Sequence, residues 1–291
     1  MDAESGKLEA VKVFFHKRSE RRSLKLIKKV TNQAKMHTLL DHPNIIKATH
    51  YFDSITLFDS IGMPAKVSAI VSEYIDNIGD LDDVIHMMGR MPEPLARTYF
   101  HQIIDAIEYM HSNDVVHGNL RSDNLLFDRN FGLKIAGFGS SKKCSSNKAF
   151  KVRIRDTDYH PPEVYYGVLR KRTELDIFAS GVILFLMVMG HMPFSKAELD
   201  NPMYKLFVSG QYERFWRIHF DVLELDEDEE PVSEEFRELI EMMFDPNPDT
   251  RATLEWIKES EWYQGPLMKP EGLQKFLTPT MLMGSLTDAT V

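Results

Sequence analysis

Apolar residues in the first part of the chain follow a sheet-and-helix pattern. Runs rich in valine, isoleucine, tyrosine and phenylalanine predict strands at Leu8 to Phe15, Ile45 to Phe58 and Val67 to Tyr74. Between the first two, Glu20 to Leu40 places apolar residues at three- and four-residue steps, which predicts an amphipathic helix. We therefore expect a small sheet of three strands with one helix.

The rest of the chain has mainly helical patterns. Pro94 to Ser112 carries apolar residues on one face, as a long helix packed on a core does. Ile177 to Met189 is apolar almost throughout, which suits a helix covered on all sides. Two short strands, Leu125 to Phe127 and Leu133 to Ala136, are predicted around a turn at 128–130.

Composition and charge exclude several classes of protein. A chain of 291 residues with 43% hydrophobic residues is long enough for one large bilobed domain or two small ones. Its 35 lysines and arginines against 44 aspartates and glutamates give a net charge of −9, which disfavours general binding to nucleic acids or anionic membranes. The single cysteine, Cys144, precludes an intrachain disulfide framework and fits a reducing compartment.

No segment predicts secretion or membrane insertion. The N-terminus lacks the apolar core of a signal peptide, and the longest apolar run, Ile177 to Met189, is too short to span a bilayer. We expect a cytoplasmic protein, with the nucleus as the alternative location, that binds neither nucleic acid nor membrane.

Candidate chemistry lies in a polar loop between the long helix and the two short strands. His117 to Asn124 reads H-G-N-L-R-S-D-N, and Gly137 to Gly139 reads G-F-G after the second short strand. Loops held by rigid elements commonly carry chemistry. These segments resemble the catalytic loop H-R-D-L-K-x-x-N and the metal loop D-F-G of the protein kinase superfamily.

The match keeps the family's spacing and departs from its chemistry. Asn119 stands at the position of the catalytic aspartate, and Arg121 at that of the catalytic lysine. Gly137 replaces the metal-binding aspartate, so no metal ligand is expected there. The positions that agree with the family hold His117, Asn124 and Phe138.

The nucleotide-binding positions of the family can also be placed by resemblance. The first predicted strand resembles the kinase strand V-A-I-K, which puts Lys12 where the nucleotide's α- and β-phosphates are gripped. An ordinary strand lysine is the competing interpretation. Counting back from the H-P-N-I turn at His42 to Ile45, the glutamate that pairs with this lysine falls on Gln33, and an amide cannot form that ion pair. By the same resemblance, Ser72 is the gatekeeper and Glu73 begins the hinge.

The start of the chain departs further from the family. Only seven residues precede the first predicted strand, where family members have two strands and a glycine-rich loop whose amides cradle phosphates. We therefore expect a truncated small lobe. A gene product whose true N-terminus carries that loop is the alternative explanation.

Structural motifs of the large lobe agree better with the family. Asp176 begins a segment that resembles D-x-W-S-x-G, and the resemblance implies that its carboxylate holds the catalytic-loop backbone; a metal ligand is the competing interpretation. Glu163 and Arg251 stand where the resemblance implies an ion pair. Gly89 to His117 and Trp256 to Tyr263 most resemble the calcium/calmodulin-dependent-kinase-like serine/threonine group.

These patterns together predict an α+β fold, a bilobed protein-kinase-like domain with a truncated small lobe and a mainly α-helical large lobe. We expect the domain over 1–265, with the small lobe at about 1–73, the hinge at 73–77 and the large lobe at 78–265. The tail, 266–291, is expected to be loosely ordered.

The resemblance implies a pseudokinase, a catalytically impaired kinase-like protein that acts as a scaffold or regulatory binding protein. ATP binding is expected to be weak and independent of Mg²⁺, because Lys12 and Asn124 are present while Gly137 offers no ligand. The alternative is an active serine/threonine kinase that uses Asp123 or Asp128 as its carboxylate.

A protein partner of unknown identity is expected, with the region around Tyr204 and Trp216 as the first candidate surface. Packing of these two aromatic side chains into the core is the competing interpretation.

Overall fold

The computed structural model describes residues 6–16, 20–145, 158–166, 173–223, 231–269 and 271–277. Within these ranges, a small sheet with one helix precedes a mainly helical part. The predicted α+β fold is confirmed. The end of the predicted tail, 278–291, lies outside the described residues.

The first part is the predicted three-stranded sheet with its helix. Strands β1 (Glu9–Phe15), β2 (Ala48–Phe58) and β3 (Pro64–Glu73) are antiparallel in the order β1-β3-β2. Helix α1 (Glu20–His37) packs on one face through a small apolar cluster that includes Val30 and Ile70. The helix ends three residues earlier than predicted, because the chain tightens into a turn ahead of the proline at position 43.

The second part holds most of the core. Its described helices include α2 (Leu81–Met88), α3 (Glu93–Ser112), α4 (Pro162–Tyr166), α5 (Thr173–Met189), α6 (Pro202–Val208), α7 (Tyr212–Leu223), α8 (Glu234–Met243), α9 (Leu254–Glu259) and α10 (Glu261–Gln264). Short strands β4 (Asn77–Asp80), β6 (Leu125–Asp128) and β7 (Leu133–Ile135) form one sheet, and β5 (Val115–Val116) pairs with β8 (Lys142–Lys143). The predicted long helix and the predicted strand pair are α3 and β6–β7.

Helix α5 is the centre of this part. Every residue from Glu174 to Met189 is buried, as the continuous apolar run predicts. Aromatic rings that pack against Phe178 and Phe185 join α5 to the elements that surround it. Helix α5 is therefore the buried element against which the polar loop before β6 can be anchored.

The prediction of a loosely ordered tail is wrong for its described residues. Arg97, buried on α3, donates a hydrogen bond from Nη1 to the carbonyl oxygen of Pro266, at 2.8 Å. Residues 271–277 are helical, and the side chain of Leu277 is fully buried in the main core. Apolar side chains spaced along a polar tail supplied this packing, which the sequence alone did not reveal.

The predicted surface around Tyr204 and Trp216 is also wrong. Their exposed fractions are 0% and 2%, and the Trp216 indole donates to the carboxylate of Glu241 at 2.7 Å. Both rings pack into the aromatic core, because the apolar faces of α6 and α7 turn inward. The competing interpretation, core packing, is the correct one.

A pair of imidazoles joins α7 to the loop after α5. Nε2 of His191 and Nδ1 of His219 lie 2.8 Å apart, and Nε2 of His219 lies 3.1 Å from the carbonyl oxygen of Pro193. Burial, and then the neighbouring His191, lowers the pKa of His219 from 6.5 to about 4. The fold therefore stabilises the neutral form of His219.

This pair predicts a loss of stability at acid pH. As the pH falls from 6.5 towards 4, His219 is protonated in the unfolded chain and not in the folded one, so protons favour unfolding. The difference between a pKa of 6.5 and a pKa of about 4 corresponds to roughly 3 kcal/mol in the free energy of unfolding. Free energies of unfolding in urea at about pH 7.5 and about pH 5 should differ less in His219→Gln than in the wild type.

The exposed His86 provides the control for that experiment. The variant His86→Gln should keep the wild-type pH dependence. Equal pH dependence in all three proteins would contradict the assignment to His219.

Candidate functional site

A buried carboxylate holds the polar loop. Asp176, on α5, is 0% exposed, and its two oxygens accept the backbone N–H groups of His117 and Gly118 at 2.9 and 2.8 Å. Nε2 of His111 lies 2.9 Å from the same carboxylate. Both oxygens are thus occupied by hydrogen bonds, which is the scaffold arrangement and leaves the metal-ligand interpretation without support.

Three aromatic rings in contact connect this loop to α1: His37 stacks on Phe138, and His117 meets Phe138 edge to face. The Phe138 ring lies between His37 and His117, with centroid distances of 4.2 and 4.9 Å. Nε2 of His117 lies 2.7 Å from the carbonyl oxygen of Ala136, and Nε2 of His37 lies 2.6 Å from the carbonyl oxygen of Ile46. Because a carbonyl oxygen can only accept, each Nε2 carries the proton and donates it. Burial lowers the pKa of both imidazoles, so the neutral forms are favoured.

Sequence reasoning identified His117 and Phe138 and missed His37. A usable signal was present, since His37 lies one helical turn after Gln33 and thus on the same face of α1. The contacts of Phe138 with His37 and His117 link the sheet part to the helical part.

Gly137 lies against the side chain of Asn124. Its φ is +83°, a conformation that side-chain-bearing residues rarely adopt. A Cβ atom placed on Gly137 would be 2.1 Å from Oδ1 of Asn124, whose Nδ2 donates to the carbonyl oxygen of Asn119 at 3.1 Å. The amide of Asn124 therefore occupies the space that a larger side chain at position 137 would need.

This overlap gives a stability prediction. Gly137→Ala should be destabilised by the positive φ, which costs about 1–2 kcal/mol for an L-residue, and additionally by the contact with Asn124. Gly62 has φ +80° with no atom within 4 Å of an added Cβ, so Gly62→Ala carries the backbone cost alone.

Urea unfolding of the two variants separates the two terms. We expect the larger loss in Gly137→Ala, and Asn124→Ala in that background should remove the excess. Equal losses in the two glycine variants would show that Asn124 does not fill the space.

The side chain of Arg121 contacts Asp123 and Tyr159. Its Nε forms an ion pair with Asp123 Oδ1 at 2.6 Å, and its guanidinium lies 5.8 Å from the centre of the Tyr159 ring. Asp128 accepts the backbone N–H groups of Asn130 and Gly132 with one oxygen, at 2.8 and 2.9 Å. Both carboxylates considered as substitutes for the missing acid thus have other contacts, and Asp128 serves the β6–β7 turn.

Among the described residues, no carboxylate pairs with Lys12. Its Nζ lies 5.8 Å from the centre of the Phe14 ring on the same strand. Gln33 is 7% exposed, and its Oε1 points towards Gly139, 3.9 Å from the place of an added Cβ. The site therefore brings Gln33 to the G-F-G segment without forming an ion pair across the cleft.

At the end of β3, Ser72 is half-buried and pairs in register with Ala10 of β1. The carboxylate of the next residue, Glu73, accepts from Nζ of Lys134 at 2.9 Å and from the backbone N–H of Lys47 at 2.8 Å. Glu73 thus ties β3 to β7 through its side chain.

The predicted ion pair of the helical part is present. Nη1 and Nη2 of Arg251 donate to the two oxygens of Glu163 at 2.7 and 2.8 Å. The side chains are 1% and 5% exposed. This pair fixes α4 to the loop that follows α8.

Comparison with known proteins decides the family. The family model for the protein kinase domain matches residues 1–263. The chain belongs to the protein kinase domain family.

Several curated plant proteins are similar to this kinase domain. Serine/threonine protein kinase OSK3 of Oryza sativa subsp. indica and serine/threonine protein kinase OSK4 of Oryza sativa subsp. japonica are each 31% identical over 260 residues, which is 89% of this chain and 46% of theirs. CBL-interacting protein kinase 32 of Oryza sativa subsp. japonica is 28% identical over 280 residues, 95% of this chain and 58% of its own. The chain thus spans about half the length of these relatives.

No helix within the described ranges combines the length and the apolar character needed to cross a bilayer.

The residues of this kinase domain do not fit Mg²⁺ as the family holds it. Kinases bind the metal through the aspartate of D-F-G and the asparagine of the catalytic loop. Here Gly137 has no side chain, and the amide of Asn124 turns to the carbonyl of Asn119. The described residues also contain no group of three His, Cys, Asp or Glu side chains able to hold a metal ion.

Proposed function

We propose that this kinase domain is a pseudokinase that acts as a scaffold or regulatory binding protein. The observation that carries the proposal is the amide of Asn124 in the space beside Gly137. The family's carboxylate is missing there, and the side-chain amide of Asn124 lies where a Cβ atom on residue 137 would be.

Loss of the general base supports the same function. A positioned base contributes about 10²–10⁴ in rate, and the amide of Asn119 cannot accept a proton in that role. Asp123 contacts Arg121 and Asp128 accepts hydrogen bonds in the hairpin turn, which supports the proposal that neither replaces it. Phosphoryl transfer depends on positioning and charge, and the two carboxylates that the family uses for this are absent at Asn119 and Gly137.

The contacts that shape the fold are kept while the chemical groups are replaced. Asp176 holds the loop, the Phe138 ring contacts the imidazoles of His37 and His117, and Glu163 pairs with Arg251. A domain with this combination is suited to present a surface to a protein partner. ATP binding, for which Lys12 stands at the family's phosphate-gripping position, is proposed to be weak and independent of Mg²⁺.

A phosphate-transfer assay tests this function. Wild-type protein is incubated with labelled ATP, Mg²⁺ and a generic basic peptide, beside an active protein kinase as the positive control. We expect incorporation at the level of the protein-free blank. Robust, metal-dependent transfer by the wild type would overturn the proposal and favour the active-enzyme alternative.

A further inference from the structure

One face of helix α1 is positively charged along its length. Four exposed cations lie on it: Arg21, Lys25, Lys28 and Lys35. At about 100° per residue, these four positions fall within an arc of about 80° of the helix surface. The opposite side of the helix, which includes Val30, is buried against the sheet. We call the four cations the basic face.

No carboxylate neutralises the basic face within the part of the chain that the structure describes. None of its four side chains forms an ion pair there. The helix has one acidic residue, Glu20, which lies three or four positions from none of them. Residues 17–19, outside the described ranges, read K-R-S, so the adjoining sequence adds further cations. The basic face is therefore a local positive patch on a chain of net charge −9.

The cations of the basic face repel one another. Arg21 and Lys25 are four positions apart and Lys25 and Lys28 are three, which are spacings at which like charges destabilise a helix. Anionic groups bound between these side chains would remove the repulsion. A ligand with closely spaced carboxylates therefore stabilises the helix that it binds.

An exposed apolar side chain lies within the basic face. Leu24 is 60% exposed and, together with Arg21, Lys25 and Lys28, lines an open depression of about 360 Å³. The aliphatic stems of arginine and lysine extend the apolar surface around such a residue while their charged ends stay in water. A ligand that places an apolar group on Leu24 and anions on both sides of it complements this surface.

The surroundings favour a short acidic peptide over a nucleic acid or a membrane. A long polyanion or a charged bilayer would extend beyond the helix, where the net charge of −9 repels it. Helix α1 contains no phenylalanine, tyrosine or tryptophan on which bases could stack. Among its described side chains, Leu24 is the one large apolar group that is exposed, whereas a helix that lies in a membrane surface presents a broad apolar face.

The spacing of the basic face sets the length of the ligand. At 1.5 Å per residue, Arg21 and Lys28 are about 10 Å apart along the helix axis, and Arg21 and Lys35 are about 21 Å apart. An extended chain, which rises about 3.3 Å per residue, covers about 21 Å in six or seven residues. A segment of this length can place a carboxylate near each of the four cations.

We propose that the basic face binds an extended segment of a partner protein, about seven residues long, in which aspartates and glutamates flank an apolar residue. This inference rests on the proposed scaffold or regulatory function and names a partner class and a surface for it.

A titration with three anionic probes tests the class of ligand. The first is a fluorescein-labelled nonapeptide with four acidic residues on either side of a central leucine, and its binding to the purified protein is followed by anisotropy at low ionic strength. A nine-nucleotide polyuridine and vesicles of phosphatidylserine and phosphatidylcholine are the other two probes. We expect saturable peptide binding that weakens as salt is added, with weaker binding of RNA and vesicles. No saturable peptide binding, or RNA or vesicle binding at least as tight, would overturn the proposal.

Charge-neutralising variants locate the peptide. Lys25→Gln with Lys28→Gln should weaken peptide binding by about fivefold or more, because it removes two cations of the basic face. Lys205→Gln with Arg214→Gln is the matched control, since both residues are exposed, lie on α6 and α7 and give the same change in net charge. Thermal unfolding establishes that both double variants are folded. Equal losses in the two would assign the binding to net charge and contradict the proposal.

A further variant tests the apolar contact. Leu24→Gln should weaken the leucine-centred peptide and leave unchanged the binding of a peptide with serine at its centre. Equal effects on the two peptides would show that the apolar residue of the ligand does not contact Leu24, and would reject that part of the proposal.

The outcome is separable from that of the proposed function. Peptide binding at the basic face together with robust phosphate transfer would reject the pseudokinase proposal and keep the binding surface. Absence of transfer with no binding that depends on the basic face would reject the surface and keep the pseudokinase proposal.

Discussion

Arg251→Met is expected to lower the free energy of unfolding by about 3–5 kcal/mol. The substitution leaves the carboxylate of Glu163 buried at 5% side-chain exposure without its two hydrogen bonds. It also removes the bond from Nε of Arg251 to the carbonyl oxygen of Asp245, 2.9 Å long. Urea unfolding followed by circular dichroism measures the loss.

Two further variants make the test specific. Glu163→Leu combined with Arg251→Met removes both charges, so the double variant should regain much of the loss. Lys258→Met breaks an exposed pair with Glu108, whose side chains are 36% and 51% exposed, and should cost less than about 1 kcal/mol. A loss in Arg251→Met no larger than in Lys258→Met would show that the buried pair does not stabilise the fold.

Restoring the two missing carboxylates is expected to leave phosphate transfer at the blank level. Asn119→Asp with Gly137→Asp places acids at the family's spacing, but Asn124 occupies the space of the second side chain. Among the described residues Lys12 also has no carboxylate partner, because Gln33 stands at that position. Effective molarities of about 10⁵–10⁸ M arise only from near-attack geometry, which these residues do not provide.

The assay compares wild type, the double reversion and the double reversion with Gln33→Glu. Labelled ATP and a generic basic peptide are the substrates, and thermal unfolding establishes that each variant is folded. Robust transfer by the double reversion would show that carboxylate loss alone silences the site and that Asn124 moves aside readily.

The anchors of the fold were accessible from the sequence because each depends on spacing between motifs. Asp176, Glu163 and Arg251 could be placed by their neighbours in sequence, and the structure gives them the expected contacts. The strands and helices followed from apolar periodicity, with errors of a few residues at their ends.

What the sequence did not reveal depends on which surfaces meet. Amphipathic patterns identify apolar faces and do not say what covers them, so Tyr204 and Trp216 were assigned to a surface although they are buried. The same limit hid Leu277, whose segment resembles a polar tail until its packing is known.

Two further features of the site, the positions of the Asn124 and His37 side chains, could not be predicted for the same physical reason. A motif gives the identity of Asn124 and not its rotamer, so its position beside Gly137 could not be read from spacing. Stacking of His37 on Phe138 likewise depends on how α1 packs on the G-F-G segment.

The measurement that tests the central claim most directly is the thermal unfolding of wild-type protein with increasing ATP, with and without Mg²⁺. Ligand binding to the folded state stabilises it by an amount that grows with ligand concentration over the dissociation constant. We predict a small rise in Tm that is the same with and without Mg²⁺, because Gly137 supplies no ligand and the amide of Asn124 is turned away. A large stabilisation that appears only when Mg²⁺ is present would contradict the account.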